Sequence, residues 1–258
     1  MKNKKLFLLS LLSIITLLLV WYICINVLGV VNPRVLPGPD KVFSSFVKKL
    51  YTRNPDGGTL IEHLMASLQV CLFGYSIAVV IGVPLGIFMA WNKWVDRFVR
   101  PLFDLIRPVP GIAWIPLFLL MFGIGIFTKA MVIVVSALVP CVVNAYTGIR
   151  QTNQVHLWVG DVFGASNTQK LLKIAIPTAV PTIFTGLRVG MNSAWRSLIA
   201  AELLASTKGF GFMIQQSRAL SRTDIIIVGM LVIAGIGSVL DSILSKIELQ
   251  VAKGMNAK

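Results

Sequence analysis

Long uncharged runs of apolar residues set the pattern of the chain. The stretches 6–31, 64–92, 130–149 and 225–240 contain no Asp, Glu, Lys or Arg. A helix of about 20 mostly apolar residues crosses the hydrocarbon core of a bilayer, which is roughly 30 Å thick. The pattern therefore predicts an all-α membrane protein with about six transmembrane helices. The predicted spans lie near residues 6–31, 64–91, 104–122, 130–149, 180–205 and 225–246.

Composition supports a membrane location and limits the other classes of protein. Of 258 residues, 56% are hydrophobic and only 13% are charged, which is too few charges to cover a soluble domain of this length. We interpret the net charge of +14 as an orientation signal and a contact with anionic lipid headgroups, not as a nucleic-acid surface. Cys24, Cys71 and Cys141 lie far apart inside apolar runs, so neither a disulfide framework nor a metal site is expected.

The basic residues around the spans predict the orientation. Lys2, Lys4 and Lys5 precede an apolar run that is about twice as long as the core of a signal peptide, so 6–31 is interpreted as a retained helix. With the N-terminus inside, 13 Lys and Arg residues fall in cytoplasmic segments and 9 fall outside. This bias predicts that both termini are cytoplasmic.

Two further segments carry signals of their own. Asp40 is predicted to cap a short outer helix at 41–51. Its apolar residues share one face, so the helix either lies on a membrane surface or packs on the bundle. That face consists of Val42, Phe43, Phe46, Val47 and Leu50. The third span is interrupted by Pro108, Pro110 and Pro116. A broken helix is tolerated at membrane depth where it lines a cavity, but a kinked structural helix fits the same residues.

The loop 151–177 is unusually long for a connection in a membrane protein. Gly164 divides it into two short helical halves, and Ser166 with Gln169 forms a capping box at the start of the second half. Pro177 is predicted to end that half. The result is a helix-turn-helix elbow on the cytoplasmic face, whose apolar ridge either receives a partner or packs on its own bundle.

A set of motifs in a fixed order runs along nearly the whole chain. In the elbow, Phe163–Ser166 (Phe-Gly-Ala-Ser) is followed by Ile174–Pro177 (Ile-Ala-Ile-Pro). The other motifs are Leu36–Pro39, Pro177–Pro181, Phe184–Arg188, Ala194–Trp195, Ala200–Glu202 and Gly209–Gly211. The elbow resembles the Glu-Ala-Ala loop of bacterial ABC importer permeases, and the whole set resembles their nitrate, sulfonate and taurine branch.

This resemblance implies a type I ABC importer permease fold with a cytoplasmic coupling elbow, in a single transmembrane domain over 1–258. The domain would combine the first helix at 6–31, the outer helix at 41–51 and a five-helix core at 64–246. The implied assembly is a homodimer in the bacterial inner membrane, on two ATP-binding cassette subunits, with a soluble substrate-binding protein outside. ATP and Mg would belong to the partner subunit, since the chain has no Gly-x-x-x-x-Gly-Lys-[Ser/Thr] phosphate loop.

The resemblance also assigns the elbow to docking on the ATPase. The Glu-Ala-Ala of the family falls on Trp158, Val159 and Gly160, so the acidic residue is absent here. Apolar burial of Trp158 is expected in its place. The implied coupling residues are Trp158, Val159, Gly160, Gly164, Ala165, Ile174 and Pro177.

Three ionisable residues lie inside the fifth predicted span, where charged groups usually face a cavity or a partner. Arg196, near the middle, suits the oxygens of a carboxylate, a sulfonate or nitrate, although a structural ion pair fits it as well. Arg188 either belongs to the same path or reaches the lipid headgroups. Glu202, near the outer end, is expected to pair with a loop cation. The candidate substrate path is Arg196, Asn192, Ser193, Trp195 and Arg188.

Together these patterns predict the permease subunit of an ATP-driven, binding-protein-dependent importer of a small anionic solute. The predicted helices lack the convergent nucleophile, base or metal ligands of an enzyme, so neither a catalytic site nor a cofactor in this chain is expected. An ion-coupled secondary transporter and a non-transporting membrane scaffold remain the alternatives. The first usually carries internal repeats and midplane acids, and a scaffold needs neither the broken third helix nor the long elbow.

Overall fold

The computed structural model describes residues 2–33 and 35–256, and every regular element in this part of the chain is helical. The α-helices are α1 (Lys2–Tyr22), α2 (Pro39–Tyr51), α3 (Leu60–Trp91), α4 (Lys93–Ile106), α5 (Ile115–Phe122), α6 (Ile126–Arg150), α7 (Gln154–Val162), α8 (Asn167–Lys170), α9 (Ile176–Ala205), α10 (Phe210–Ala219) and α11 (Thr223–Asn256). A 3₁₀ turn at Gly111–Trp114 precedes α5, and π-helical turns occur at Ile23–Val27 and Leu171–Ala175.

The helices form two compact units. One contains the residues up to Met65 together with Lys208–Ala234, and the other contains Ala66–Thr207 together with the residues from Gly235 onward. The second unit includes α6 and α9, which pack closely on each other. It also contains the elbow and every ionisable residue of the predicted substrate path.

Four helices in the described part of the chain are long and apolar enough to cross a membrane. They are Leu60–Trp91, Ile126–Arg150, Asn167–Ala205 and Thr223–Val251. A bent pair, Lys93–Ile106 with Gly111–Phe122, makes a fifth span if it counts as one, and the described apolar helix Leu11–Val27 is shorter. The structure thus confirms the all-helical membrane architecture, with four or five spans by this measure where the sequence predicts about six.

The third predicted span differs most from expectation. The helical segment starts at Lys93 instead of 104, breaks after Ile106, and turns by 84° before Gly111–Phe122. Pro108 and Pro110 stand in the break. Each proline removes a backbone donor and disfavours helical geometry in the residue before it. The prolines therefore do not kink one helix but separate two.

Pro177 does not end the second half of the elbow, contrary to the sequence prediction. The chain stays helical from Asn167 through the π-turn Leu171–Ala175 into α9, a continuous span of 39 residues. Pro177 lies in the first turn of α9, where a proline is well tolerated. The widened π-turn directly before it gives the ring room inside a continuous helix.

Small residues allow α6 to pack closely against α3 and α9. A Cβ added at Gly86 on α3 would lie 2.4 Å from the Val142 carbonyl oxygen of α6, and one added at Gly186 on α9 would lie 2.5 Å from Asn144 Cβ. Ala137, Ala145 and Cys141 of α6 are fully or almost fully buried in the same region. Close backbone approach of this kind holds helices together in lipid, where burial from water supplies no driving force.

Helix α2 buries only part of its predicted apolar face. It begins at Pro39 with Gly38 as N-cap, so Asp40 lies in the first turn and accepts a hydrogen bond from Asn26 Nδ2 at 2.9 Å. Val42 is buried, whereas Phe43 and Val47 are exposed. The apolar residues thus divide between the interior of the unit and its outer surface.

A buried charged cluster organises the loop after α2. Lys49, Asp56 and His63 are each at most 2% exposed at the side chain. Lys49 Nζ donates to Asp56 and to the Gly58 carbonyl, while His63 Nε2 lies 3.0 Å from Asp56 Oδ2. The Gly209 N–H donates to His63 Nδ1 at 3.1 Å, so the other ring nitrogen, Nε2, is the one that faces Asp56.

Candidate functional site

A cavity of about 540 Å³ opens among α6, α9 and the break between α4 and α5. Apolar side chains form most of its wall, with Arg107 and Arg196 set among them. Its polar lining also includes Ser136 and Asn144 of α6 and Ser193 and Ser197 of α9. None of the described residues that line it is acidic.

The two arginines of α9 have different surroundings. Arg188 forms a two-pronged ion pair with Asp241 of α11, with both N···O distances at 2.7 Å, and lies 3.7 Å from Glu248. Arg196 lines the cavity and has no carboxylate partner within the described part of the chain. The uncompensated guanidinium is therefore Arg196, and it faces open space.

Arg107 reaches the same cavity from the break that follows α4. Gly111, just beyond this break, passes so close to α6 that an added Cβ would lie 1.7 Å from Ser136 Oγ. The glycine thus lets the broken segment pack against the cavity wall beside Ser136 and Ser197. The prolines set where the chain breaks, and Gly111 sets how closely it returns to the bundle.

The uncharged polar groups add hydrogen-bonding capacity to the cavity. Asn144 Nδ2 donates one bond to the Pro140 carbonyl at 2.9 Å, which leaves its second N–H for another acceptor. The side-chain hydroxyls of Ser193 and Ser197 make no hydrogen bond to another described residue. Two cations with nearby hydroxyl and amide donors, and no lining carboxylate, suit the oxygens of a small anion.

The predicted path residues fall into two groups: some line the cavity, and the others contact helix α11. Ser193 and Arg196 line the cavity, whereas Asn192 donates to Asp241 Oδ1 at 2.9 Å beside Arg188. Trp195 is buried, and an added Cβ at Gly237 of α11 would lie 3.2 Å from its Cδ1. These three contacts with α11 have a structural role in the packing of the last helix.

Sequence reasoning missed three contributors to this region. Arg107 stands directly before the prolines that were already singled out, so its position was a usable signal. Asp241 lies within the last predicted span and was readable there as an intramembrane acid. Asn144 offers no such signal, because only the packing of α6 places it in the cavity.

Glu202 lies in a separate buried group at the other end of α9. It is 1% exposed and accepts a hydrogen bond from Ser67 Oγ at 2.7 Å. Lys129, also buried, donates to Ser206 Oγ at 3.0 Å and is electrostatically coupled to Glu202. The acid thus lies in a buried polar group formed by α3, α6 and the end of α9.

The elbow has the two predicted helical halves. Gly164 adopts a φ of +73° between them, and Ser166 with Gln169 forms the predicted capping box. Gly160 brings the halves together, since an added Cβ would lie 3.0 Å from Ile174 Cδ1. The Ala165 N–H closes the first half by donating to the Gly160 carbonyl at 2.9 Å.

The outer surface of the elbow is apolar and exposed. Trp158 is 62% exposed, and Val162 and Phe163 are each 85% exposed. Val155 and Val159 extend the same surface, which we call the elbow ridge (Val155, Trp158, Val159, Val162 and Phe163). The ridge is not buried by packing within the described part of the chain, so the structure favours contact with a partner over a purely internal role.

Membrane-crossing helices around a basic, partly apolar cavity define a helical membrane transport protein. Residues 82–253 match the binding-protein-dependent transport system inner membrane components, and the chain belongs to this family. Members are non-catalytic membrane subunits, so the chain is a multi-pass ABC importer permease of the inner membrane and not an enzyme.

Relatives with known names agree with this family. The chain is 36% identical to the taurine transport system permease protein TauC of Escherichia coli, over 90% of this chain and 84% of that protein. It is 32% identical to the nitrate import permease protein NrtB of Synechocystis, over 92% and 86% of the two chains. A putative aliphatic sulfonates transport permease protein, SsuC of Bacillus subtilis, is 30% identical over 92% and 84%.

A solved structure shares the fold. The inward-facing MetNI methionine ABC transporter contains a chain that superposes with a TM-score of 0.65, covering 74% of this chain and 95% of the other. The two sequences are 16% identical, so this likeness concerns the fold alone.

Proposed function

We propose that the chain is the permease subunit of an ATP-driven importer that takes up a small anion of the nitrate, sulfonate or taurine class. The observation that carries this proposal is the cavity with two arginines, free hydroxyl groups and no lining carboxylate. A guanidinium at membrane depth without a counter-ion is costly. A passing anion would supply that charge, which gives Arg196 a reason to be unpaired.

The permease works as a homodimer in this proposal. Arg107 and Arg196 are both exposed on the surface of the single chain, so the cavity is open on one side. A second copy would close it and line the path from both faces. Membrane lipid surrounds the remaining apolar surface.

Coupling to ATP takes place through the elbow ridge. An ATP-binding cassette subunit would bury the ridge in an apolar cleft, and ATP and Mg would be held by that subunit. The elbow then lies in the cytoplasm, which places both termini inside, and a soluble binding protein delivers the solute from outside. Motion of the ATPase would pass from the elbow through the π-turn into α9, which carries Arg196.

Uptake by whole cells tests the proposal. The chromosomal gene is replaced by one that encodes the Arg196→Gln or the Arg196→Lys variant. The initial rates of uptake of radiolabelled taurine, ethanesulfonate and nitrate are then measured at equal membrane levels of the protein. A charge-assisted hydrogen bond contributes about 1.5–3 kcal/mol, so Arg196→Gln should lower uptake of the transported anion about tenfold or more. Arg196→Lys should recover part of it.

Arg218→Gln serves as the matched control, because Arg218 is exposed on α10 and is not among the residues that line the cavity. Unchanged uptake of all three anions in Arg196→Gln cells would contradict the proposed path. Uptake that survives depletion of ATP while the ion gradients are maintained would instead favour an ion-coupled transporter.

A further inference from the structure

Helix α4 has one buried face and one exposed face, and it is not parallel to the segment that follows it. It meets the segment Gly111–Phe122 at 84°. If that segment runs along the bilayer normal, a helix at nearly a right angle to it lies along the membrane surface. Arg100 of α4 lies over the ring of Tyr146, near the end of α6, and α6 leads directly into the elbow.

One side of α4 is an exposed apolar stripe. Trp94, Phe98 and Leu105 are 78%, 76% and 75% exposed, and Leu102 continues the row. These positions are spaced by three or four residues and so share a face. The buried Phe103 packs on the opposite side against Met89 of α3 and Val142 of α6. α4 is thus anchored to the bundle by one face and leaves the other exposed.

Basic residues accompany this stripe along α4. They are Lys93, Arg97, Arg100 and, at its C-terminal end, Arg107. The Arg97 guanidinium lies 6.0 Å from the ring of Trp94. Apolar stripes bordered by Lys and Arg, with a Trp among them, are typical of helices in the membrane interface.

A second cavity of about 240 Å³ lies beneath α4. Arg100, Asp104 and Arg107 of the α4 segment line it together with Tyr146 and Thr147 of α6. We call it the headgroup pocket. The guanidinium of Arg100 is held in place. Its Nη2 donates to both carboxylate oxygens of Asp96, at 2.8 and 2.9 Å, and its Cζ lies 4.9 Å from the centre of the Tyr146 ring.

We propose that α4 lies in the membrane interface and that the headgroup pocket binds the phosphate of an anionic phospholipid. Arg100 and Arg107 would hold the phosphate oxygens, and the acyl chains would run along the exposed stripe of α4. The position of α4 beside the elbow assigns this lipid to the cytoplasmic leaflet, and this assignment alone rests on the proposed function. Anionic lipids give that leaflet its negative surface potential.

A lipid fits this pocket better than a free small anion does. Asp96 and Asp104 offset much of the local positive charge, so a small anion would gain little by entering. A phospholipid adds the burial of its chains on Trp94 and Phe98 to the contact of its phosphate. The combination of a pocket and an adjoining exposed apolar stripe is therefore what selects the lipid.

The test uses the full chain purified in detergent and transferred to nanodiscs. One set contains only palmitoyl-oleoyl phosphatidylcholine, and the other contains the same lipid with one quarter phosphatidylglycerol. The thermal unfolding midpoint is compared in the two sets, and native mass spectrometry counts the phosphatidylglycerol molecules retained. We expect phosphatidylglycerol to raise the midpoint and to be retained.

Arg97→Gln and Arg100→Gln should each weaken retention about fivefold, the effect of one basic residue near an anionic membrane surface. Arg218→Gln is the matched control and should retain wild-type binding. Among the described residues, the Arg97 guanidinium has the Trp94 ring as its only polar or ring partner. Arg97→Gln should therefore leave the fold intact, and it serves as the second test if Arg100→Gln destabilises the protein. Phosphatidylcholine nanodiscs containing added inorganic phosphate test the free ion.

The proposal is overturned if phosphatidylglycerol has no effect on the midpoint, or if Arg97→Gln and Arg100→Gln retain it like the wild type. It is also overturned if inorganic phosphate alone reproduces the stabilisation, which would make the pocket a small-anion site. None of these measurements needs an ATPase or a transported solute, so failure of the lipid site and failure of the importer proposal are separate results.

Discussion

At the residue scale, the main distinction lies between two arginines eight positions apart on one helix. At 100° per residue they are 80° apart around α9, which is enough for each to face a different neighbour. Arg188 meets Asp241, and Arg196 meets the cavity. The sequence alone allowed both arginines to belong to one path, because spacing cannot show which neighbouring helix supplies a carboxylate.

Gly111→Ala tests the close contact at the cavity wall. The new methyl group would lie 1.7 Å from Ser136 Oγ, so Ser136 must leave its hydrogen bond to the Val132 carbonyl or the broken segment must move outward. Overpacking of this kind costs about 1–3 kcal/mol, and we expect lower thermal stability with reduced anion uptake.

The double variant Gly111→Ala with Ser136→Ala is the control for this contact. Removal of Oγ leaves Ser136 Cβ at 3.0 Å as the nearest atom of that residue, which a small adjustment accommodates. Recovery of the unfolding midpoint in the double variant would confirm the contact. The contact would be contradicted if the double variant lost as much stability as the two single variants together.

Asp56→Asn tests the buried cluster in the other unit. The variant leaves the buried Lys49 ammonium without its carboxylate, and breaking a buried ion pair on one side costs about 3–5 kcal/mol. We expect a large fall in the unfolding midpoint. Arg53, whose partner Glu62 is exposed, provides the control, because Arg53→Gln should change the midpoint little.

The same carboxyl sets a pH dependence of stability. Burial raises the pKa of Asp56, but hydrogen bonds from His63 and Lys49 outweigh it and hold the pKa below its ordinary value of 3.8. A depressed folded-state pKa contributes stability above the ordinary pKa that is lost as the pH falls through the folded value. Its contribution should therefore be constant from pH 5 to 8, and a midpoint scan of wild type against Asp56→Asn should converge only in acid.

At the element scale, helix packing depends on small residues more than on hydropathy. Long apolar runs predicted α3, α6, α9 and α11 because a span needs little more than length and apolar composition. α4 was not predicted, since its charged residues interrupt the hydropathy signal while its apolar stripe has helical spacing. The prolines predicted an interruption in this region. The angle between the two helical segments could not be predicted, because it depends on where Gly111 contacts α6.

Gly86→Ala tests the packing of α3 on α6. The added methyl group would meet the Val142 carbonyl oxygen at 2.4 Å, and a backbone atom cannot rotate away. We expect the unfolding midpoint to fall and the yield of folded protein in membranes to drop. Gly235→Ala on α11 is the matched control, because its added methyl group meets nothing within 4 Å. Equal midpoints for the two variants would contradict the importance of this contact.

At the scale of the whole molecule, the family was readable from motif order, and the fold followed from it. The elbow was predicted with its glycine turn and capping box because both are local signals. The cavity was only half predicted, since Arg196 and Ser193 lie on one helix whereas Arg107 and Asn144 arrive from other parts of the chain. Residues that meet only through tertiary packing leave no periodic signature.

Trp158→Ala tests the elbow ridge in the assembly. Removing a central aromatic anchor typically costs at least 2 kcal/mol, about thirtyfold in affinity, so less ATP-binding subunit should be retained when the tagged permease is purified in mild detergent. Mass spectrometry of the purified complex measures the ratio. Trp94→Ala removes an exposed tryptophan of α4 that is not part of the elbow ridge, and this variant should retain the partner. Equal retention in both variants would show that the ridge is not the dock.

Arg107 lines both the path cavity and the headgroup pocket, so a single guanidinium would be shared by the two proposed anions. If lipid phosphate holds it on one side, the path has one cation fewer to offer its solute, and the reverse holds equally by thermodynamic reciprocity. Solute affinity would then fall as the membrane becomes richer in acidic lipid. The bilayer itself would act as an antagonist of transport, with no dedicated regulatory domain.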